Sequence, residues 1–508
     1  MIDRRTTLKL IGGAMAGLPL MGLTRFSAAA QDRIVPKDAP NIIFIMTDDQ
    51  QQNAMSAYGN KILKTPNMDR IGTDGVRFTE MFVTNSLCAP SRASFMTGLY
   101  SHAHGVTTNG APNSIFRNQP GLKDDQVTFV HLLRQAGYHT ALVGKWHLRS
   151  QPAGFEQWII LPGGGGPYND PEMITSGGMR LKFRGYADDV VGDQALAYLA
   201  QRPKERPFCL LYNFKSPHRN WVPAARFEKA FEDVEIPMPR SFSDDFAARP
   251  AALGKNEMAV ADMPDFRNRG VSADLPRDER KRRNFQVLAK NYYRTLLSVD
   301  ENVGRVLDYL DKNDLTKNTI VVYSSDNGFF LGEHGLFDKR LMYEPSIRVP
   351  LLMRFPARVK AAQVDTKHMV LNVDVAPTLL ELAGVPVPGW MHGRSVRPIL
   401  DRRQAPWRDA FLYQYYEYPA EHCAQKHRGV RTDRWKLIHF WEQPEEWELY
   451  DLKNDPDEMN NLYGRRNMKK ITAELRTRLD HLRREVGDID PPGPPPAAGP
   501  CAVATAAE

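Results

Sequence analysis

Four short apolar runs set the plan of the chain. Each is unalternating and closed by turn residues, as the buried strands of a parallel sheet are. "NIIFIMTDDQ" ends in Asp48 and Asp49, "YHTALVGKWH" in Lys145 and His147, "PFCLLYNFKSPH" near His218, and "TIVVYSSDNG" in Asp326 and Asn327. Between them the period becomes helical, as in "HLLRQAG". From Asn284 to Leu310 the residues Leu288, Tyr292, Leu296, Val299, Val303, Val306 and Leu310 recur at helical spacing. The pattern predicts an α/β fold: a large, mostly parallel sheet flanked by helices. Ligands of such sheets bind beyond the carboxyl ends of the strands, so four runs with polar ends point to one shared site.

Beyond residue 400 the pattern changes. "FLYQYYEY", "HRGVRTDRWKLIHF" and "EWELYDLKNDPDEMNNL" predict aromatic-rich antiparallel strands, and "MKKITAELRTRLDHLRREV" predicts a terminal amphipathic helix. The expected organisation is a main domain over 38–400, a smaller C-terminal subdomain over 401–487, and a Pro/Ala-rich disordered tail over 488–508. At the other end, "DRRTTLKLIGGAMAGLPLMGL" followed by Ala28, Ala29 and Ala30 reads as an export signal over residues 1–30, of the twin-arginine type. The expected location is periplasmic or secreted. The apolar run is too short to span a bilayer, so no stable membrane insertion is expected after cleavage.

Composition narrows this further. With 508 residues, 42% hydrophobic and 25% charged, the chain is an ordinary globular protein. Losing the leader removes Arg4, Arg5, Lys9, Arg25 and Asp3 and lowers the formal charge from +7 to +4. That excess suits an anionic substrate, and no nucleic-acid partner is expected. The four cysteines, Cys88, Cys209, Cys423 and Cys501, form no CxxC pair and argue against both a disulfide framework and a zinc site.

Asp48, Asp49, Asp326 and Asn327 offer only oxygen, which favours a hard cation, calcium or magnesium, and calcium is preferred. His147 and His218 could join a transition-metal site, yet each stands beside a lysine or arginine, which suits anion binding better. Cys88 belongs to "CAPSRASFMTG", where Pro90 fits a first helical turn and Gly98 a helix end. Cys88 and Arg92 therefore sit at a positive helix N-terminus, a place that binds anions and activates nucleophiles.

"CAPSRASFMTG" matches the CxPSRxxxxTG signature, and the chain resembles the type I sulfatases of the alkaline phosphatase superfamily. The blocks "TDDQ", "GKWH", "SPH", "SDNG" and "EHGLFDKR" extend the resemblance over roughly residues 38–465. It implies the alkaline phosphatase-like sulfatase fold with a small C-terminal antiparallel subdomain. It implies that a maturation enzyme oxidises Cys88 to formylglycine, whose aldehyde hydrates to a geminal diol. Calcium would be held by Asp48, Asp49, Asp326, Asn327 and the residue made from Cys88. Arg92, Lys145, His147, His218 and Lys339 would form the sulfate pocket. One diol hydroxyl would attack sulfur with Asp326 accepting its proton, and His218 or Lys339 would protonate the leaving oxygen. His147 would then take the second hydroxyl's proton, so that sulfate is eliminated from the sulfo-enzyme and the aldehyde returns.

For the substrate, "WIILPGGGGPYNDP", "SPHRNWVP", "LLSVDENVGRVLDYLD" and "GFFLGEHGLFDKRLMYE" are similar to bacterial relatives of N-acetylglucosamine-6-sulfatase. A sulfated carbohydrate carrying 6-O-sulfate on N-acetylglucosamine or glucosamine is the expected partner. The Gly163 to Gly166 loop, Trp221, His334, His422 and His427 are candidate sugar contacts. The alternatives are another glycan sulfate position, a phosphatase or phosphonate monoester hydrolase, and a non-catalytic binder of sulfated glycans.

Overall fold

Ile42, Ile43, Phe44 and Ile45 are consecutive and all inaccessible to solvent, which a strand achieves only where both faces of its sheet are covered. The computed structural model describes residues 38–489 except 111–117, 119–120, 248, 255, 264–269 and 443. The expected leader, most of the expected tail, and Cys501 lie outside the described residues.

The strand Asn41–Thr47 is central. It runs parallel to Thr319–Ser325 on one side and Phe208–Asn213 on the other. His139–Lys145 and then Gln157–Leu161 continue the parallel order. Direction reverses toward both edges, where Leu351–Arg354 pairs antiparallel with Thr319–Ser325, and Glu172–Thr175 and Arg180–Lys182 close the other side. The result is a mixed sheet of ten strands, parallel where the four apolar runs lie. The helix Arg277–Lys312 contains the apolar stripe predicted from Asn284 onward. It packs beside Ala187–Gln201, and Asn302 Nδ2 donates to Asp189 Oδ1 across the pair at 2.8 Å.

A second sheet joins Ala410–Tyr415, His427–Thr432, Trp435–Phe440 and Glu446–Asp451 in sequence order, all antiparallel. Alternation divides its faces. Phe411, Tyr413, Tyr415, Ile438 and Phe440 join the main core. Leu412, Val430, Leu437 and Leu449 pack with Leu475 and Leu479 of the helix Lys469–Glu485. Among the described residues no helix is long and apolar enough to cross a membrane.

Gly144, one residue before Lys145, has φ +103°, and a Cβ added there would stand 1.8 Å from the Asn213 carbonyl oxygen. The substitution Gly144→Ala should therefore cost about 3 kcal/mol or more. Urea unfolding would show this as a lower midpoint at unchanged slope. A wild-type midpoint would contradict the packing.

Candidate active site

The register of the sheet sets the site. Thr47 lies opposite Ser325, and Met46 and Gly144 both lie opposite Asn213, so four strands end level. Asp48 and Asp49, Lys145, the segment leading to His218, and Asp326 with Asn327 emerge together on that edge. The backbone there is tightly constrained. Asp49 has φ +68°, an unusual conformation that Asp tolerates better than most residues. Its N–H donates to Asp326 Oδ1 at 3.1 Å, the Asp48 N–H donates to the Ser216 carbonyl at 3.2 Å, and Asn327 Nδ2 donates to Asp49 Oδ1 at 2.7 Å.

The helix Cys88–Thr97 approaches this edge and is buried along its whole length. It follows extended Leu87 and ends at left-handed Gly98, as its sequence predicts. Cys88 Sγ lies 3.4 Å from Asp48 Oδ1 and 3.9 Å from Asp49 Oδ1. One turn later Arg92 Nε donates to Asp326 Oδ2 at 2.8 Å, and another guanidinium nitrogen stands 3.6 Å from Asp48 Oδ2. Lys145 Nζ bonds Asp48 Oδ2, and Lys339 Nζ donates to Asp49 Oδ2 at 2.7 Å.

Asp48, Asp49 and Asp326 thus face Arg92, Lys145 and Lys339 in a cluster where all six side chains are buried. Burial disfavours the Asp48 carboxylate, but Lys145, His218 and Arg92 outweigh it and hold its pKa well below the usual range. For Asp49 and Asp326 burial prevails and raises the pKa, with Asp48 adding to it. Burial and then Lys145 push His218 down to about 4, and they depress His147 strongly. Burial and then Asp48 drive the Cys88 thiol well up, so it is not a thiolate.

Oxygen atoms of Asp48, Asp49 and Asp326 come within 4.8 Å of one another. Asn327 Oδ1 is buried beside them with no hydrogen-bond partner. An orphaned amide oxygen next to three carboxylates fits a hard cation, which takes oxygen ligands of this kind.

His147 completes the surround. It is close enough to feel Lys145, Asp48 and Arg92, and a Cβ at Gly164 would lie 3.9 Å from its Nε2. His422 borders the cluster through Asp338, with His422 Nε2 3.1 Å from Asp338 Oδ2 and Lys339 Nζ 3.8 Å from Asp338 Oδ1. Trp221 is buried edge-on to Phe329, with ring centroids 6.0 Å apart, behind the Asn327 turn. The structure does not bring His334 and His427 into the cluster. His334 Nδ1 meets Asp244 at 2.7 Å on the wall of a separate groove of about 1280 Å³ that is lined by none of the residues of the cluster. His427 is enclosed by Tyr413, Tyr415 and Phe440.

Sequence reasoning missed Asp338 and Arg340, which pair with each other beside Lys339, and Glu421, which meets Arg340 at 3.2 Å and Arg219 at 3.4 Å. Their signal was adjacency: Asp338 and Arg340 flank Lys339, and Glu421 precedes His422.

Comparison with known proteins identifies the family. Residues 40–385 match the family model described as Sulfatase, and residues 332–485 match N-sulphoglucosamine sulphohydrolase, C-terminal. An N-acetylglucosamine-6-O-sulfatase of Bacteroides thetaiotaomicron is 40% identical over 93% of this chain and 91% of its own length. The human N-acetylglucosamine-6-sulfatase is 28% identical over 87% of this chain and 83% of its own. A solved structure in complex with its substrate D-glucosamine-2-N,6-O-disulfate superposes with TM-score 0.81 at 40% identity, covering 89% of this chain and 99% of the other.

The charge balance is testable through stability. Lys145→Met leaves Asp48 short of its nearest cation, which should lower the unfolding free energy by about 3 kcal/mol in chelator. Added Ca²⁺ should then raise the melting temperature of the variant more than that of the wild type. Equal increments would show that Lys145 and the cation site are not coupled.

Proposed function

The chain belongs to the sulfatase family, and we propose that it removes the 6-O-sulfate of N-acetylglucosamine or glucosamine units from sulfated glycans. It is a sulfatase, and its substrate is a sulfated carbohydrate. The observation that carries the choice of sugar is the 40% identity to an N-acetylglucosamine-6-O-sulfatase across 93% of the chain. The complete set of cations and carboxylates favours turnover over binding alone.

The residues divide the work as follows. Formylglycine made from Cys88 would supply a hydrated aldehyde as nucleophile, and Ca²⁺ held by Asp48, Asp49, Asp326 and Asn327 would supply positive charge at the sulfuryl oxygens. Arg92, Lys145 and Lys339 hold the sulfate and fix its orientation. Removing one such preorganised contact costs on the order of 10² to 10³ in rate. Asp326, fixed by Arg92 at 2.8 Å, accepts the nucleophile's proton. His218 and Lys339 both approach Asp49 Oδ2, at 3.8 and 2.7 Å, and are the groups placed to protonate the departing sugar oxygen. His147 would serve as the base for the second hydroxyl of that hydrate. His422 meets Asp338, which pairs with Arg340 beside Lys339, and of the candidate sugar contacts it is the one that borders the sulfate pocket.

The "DRR" leader with Ala28, Ala29 and Ala30 supports export to the periplasm or beyond. The CAPSR segment is the recognition element for a formylglycine-generating enzyme.

The test is kcat/KM for N-acetylglucosamine-6-sulfate, galactose-6-sulfate and 2-O-sulfated uronate, read as sulfate release. The glucosamine substrate should lead by roughly 10⁴, the discrimination that a site built to hydrogen-bond a sugar can reach. Equal rates, or a preference for the uronate, would overturn the sugar while leaving the sulfatase. Peptide mass spectrometry should find an aldehyde or its hydrate at position 88, and Cys88→Ala should fold and lose turnover. Chelation should abolish activity and calcium restore it; restoration by zinc alone would contradict the ligand set.

A further inference from the structure

Lys215 has no role in the chemistry above, yet it is 7% exposed and close enough to the cluster to feel Lys145 and Asp48. Its Nζ donates to the carbonyl of Gly166 and lies 4.3 Å from the centroid of the Tyr168 ring. Its aliphatic stem passes beneath Gly165, where an added Cβ would stand 3.2 Å from Lys215 Cγ. Lys215 is also one turn from His218, whose N–H donates to the Lys215 carbonyl at 3.1 Å.

The loop it holds has little stiffness of its own. Gly163, Gly165 and Gly166 have φ values of +52°, +128° and +64°, and glycine carries the largest backbone freedom of any residue. The loop therefore needs an external anchor to keep one shape. Gly164 faces His147, since a Cβ added there would stand 3.9 Å from its Nε2. Past the loop, Tyr168 donates its hydroxyl to the His218 carbonyl and stacks on Tyr186 at 5.6 Å. Ser216, between Lys215 and His218, bonds buried Asp188, and its carbonyl accepts the Asp48 N–H at 3.2 Å. Lys215 thus joins the glycine loop to the segment that carries His218 and supports Asp48. An ammonium suits the place, since it donates to a carbonyl while resting on an aromatic face.

We propose that Lys215 is a positioning residue that fixes the Gly163–Gly166 loop as a wall of the sugar site, and so determines which sugar sulfates are accepted. This rests on the sulfatase reading. A small aryl sulfate places little beyond the sulfate, so it should depend on the loop far less than a sugar does. Misplacement by about 1 Å can cost 10² in rate.

The experiment compares wild type, Lys215→Met and Lys215→Arg on 4-nitrophenyl sulfate and on the sugar sulfate that the wild type prefers, alongside melting temperatures. Lys215→Met should raise KM for the sugar about 30-fold, change kcat much less, and lower kcat/KM for the aryl sulfate at least tenfold less than for the sugar. Lys215→Arg, which keeps the charge and the donor, should recover most of the sugar's KM. Equal losses on both substrates, an unchanged sugar KM, or a melting temperature that falls in step with both activities would overturn the proposal. A wild type that hydrolyses neither ester would instead count against the sulfatase reading itself.

Discussion

The interaction on which the site depends is the mutual neutralisation of six buried charges. Taking any one of them out of water alone would be prohibitive, and they are tolerated only because each finds an opposite within hydrogen-bond reach. Asp48 takes Lys145, Asp49 takes Lys339, and Asp326 takes Arg92. A dication accepted by the carboxylates would leave the three cations in excess, and the pocket would then favour an anion. With a cation bound, the same frame would carry a positive excess, and it would attract a sulfate ester more strongly than it does without one.

That frame is inexpensive to hold because the sheet makes it. Strands inaccessible to water on both faces leave no freedom of register, so Asp48, Lys145 and Asp326 reach the edge at fixed heights. The residues beyond the strand ends absorb the distortion. Asp49, His147, Trp221, Asp338, Arg340 and His422 all have positive φ, and such conformations persist only where the surroundings enforce them. Here enforcement comes from both parts of the chain: Tyr413 of the second sheet donates its hydroxyl to the Arg340 carbonyl, tying the subdomain to the turn that carries Lys339.

The parallel strands and the clustered residues at their ends were legible because their signals are local. An apolar run ending in polar residues, a helix bracketed by Pro90 and Gly98, and the CAPSR motif each occupy a dozen positions or fewer. The same reasoning failed to distinguish a histidine in a cleft from one in a packed layer. His422 and His427 are five residues apart, yet one meets Asp338 and the other is enclosed by aromatic rings. Which face a residue takes in a short loop between strands depends on partners tens or hundreds of positions away. The antiparallel edges of the large sheet were hidden for a similar reason, since a strand of three or four residues carries too few positions to show a period.

Cys88 is wholly inaccessible, and so is the helix it begins. No second protein could grip that segment once Phe95 and its neighbours are packed beneath the sheet edge. Any enzymatic change to the thiol must therefore happen while the chain is still open, in competition with folding. If activity requires the conversion of Cys88 proposed above, a copy that folds first would be sound in structure and idle, so the yield of active protein would be decided by timing during biosynthesis and not by stability afterwards.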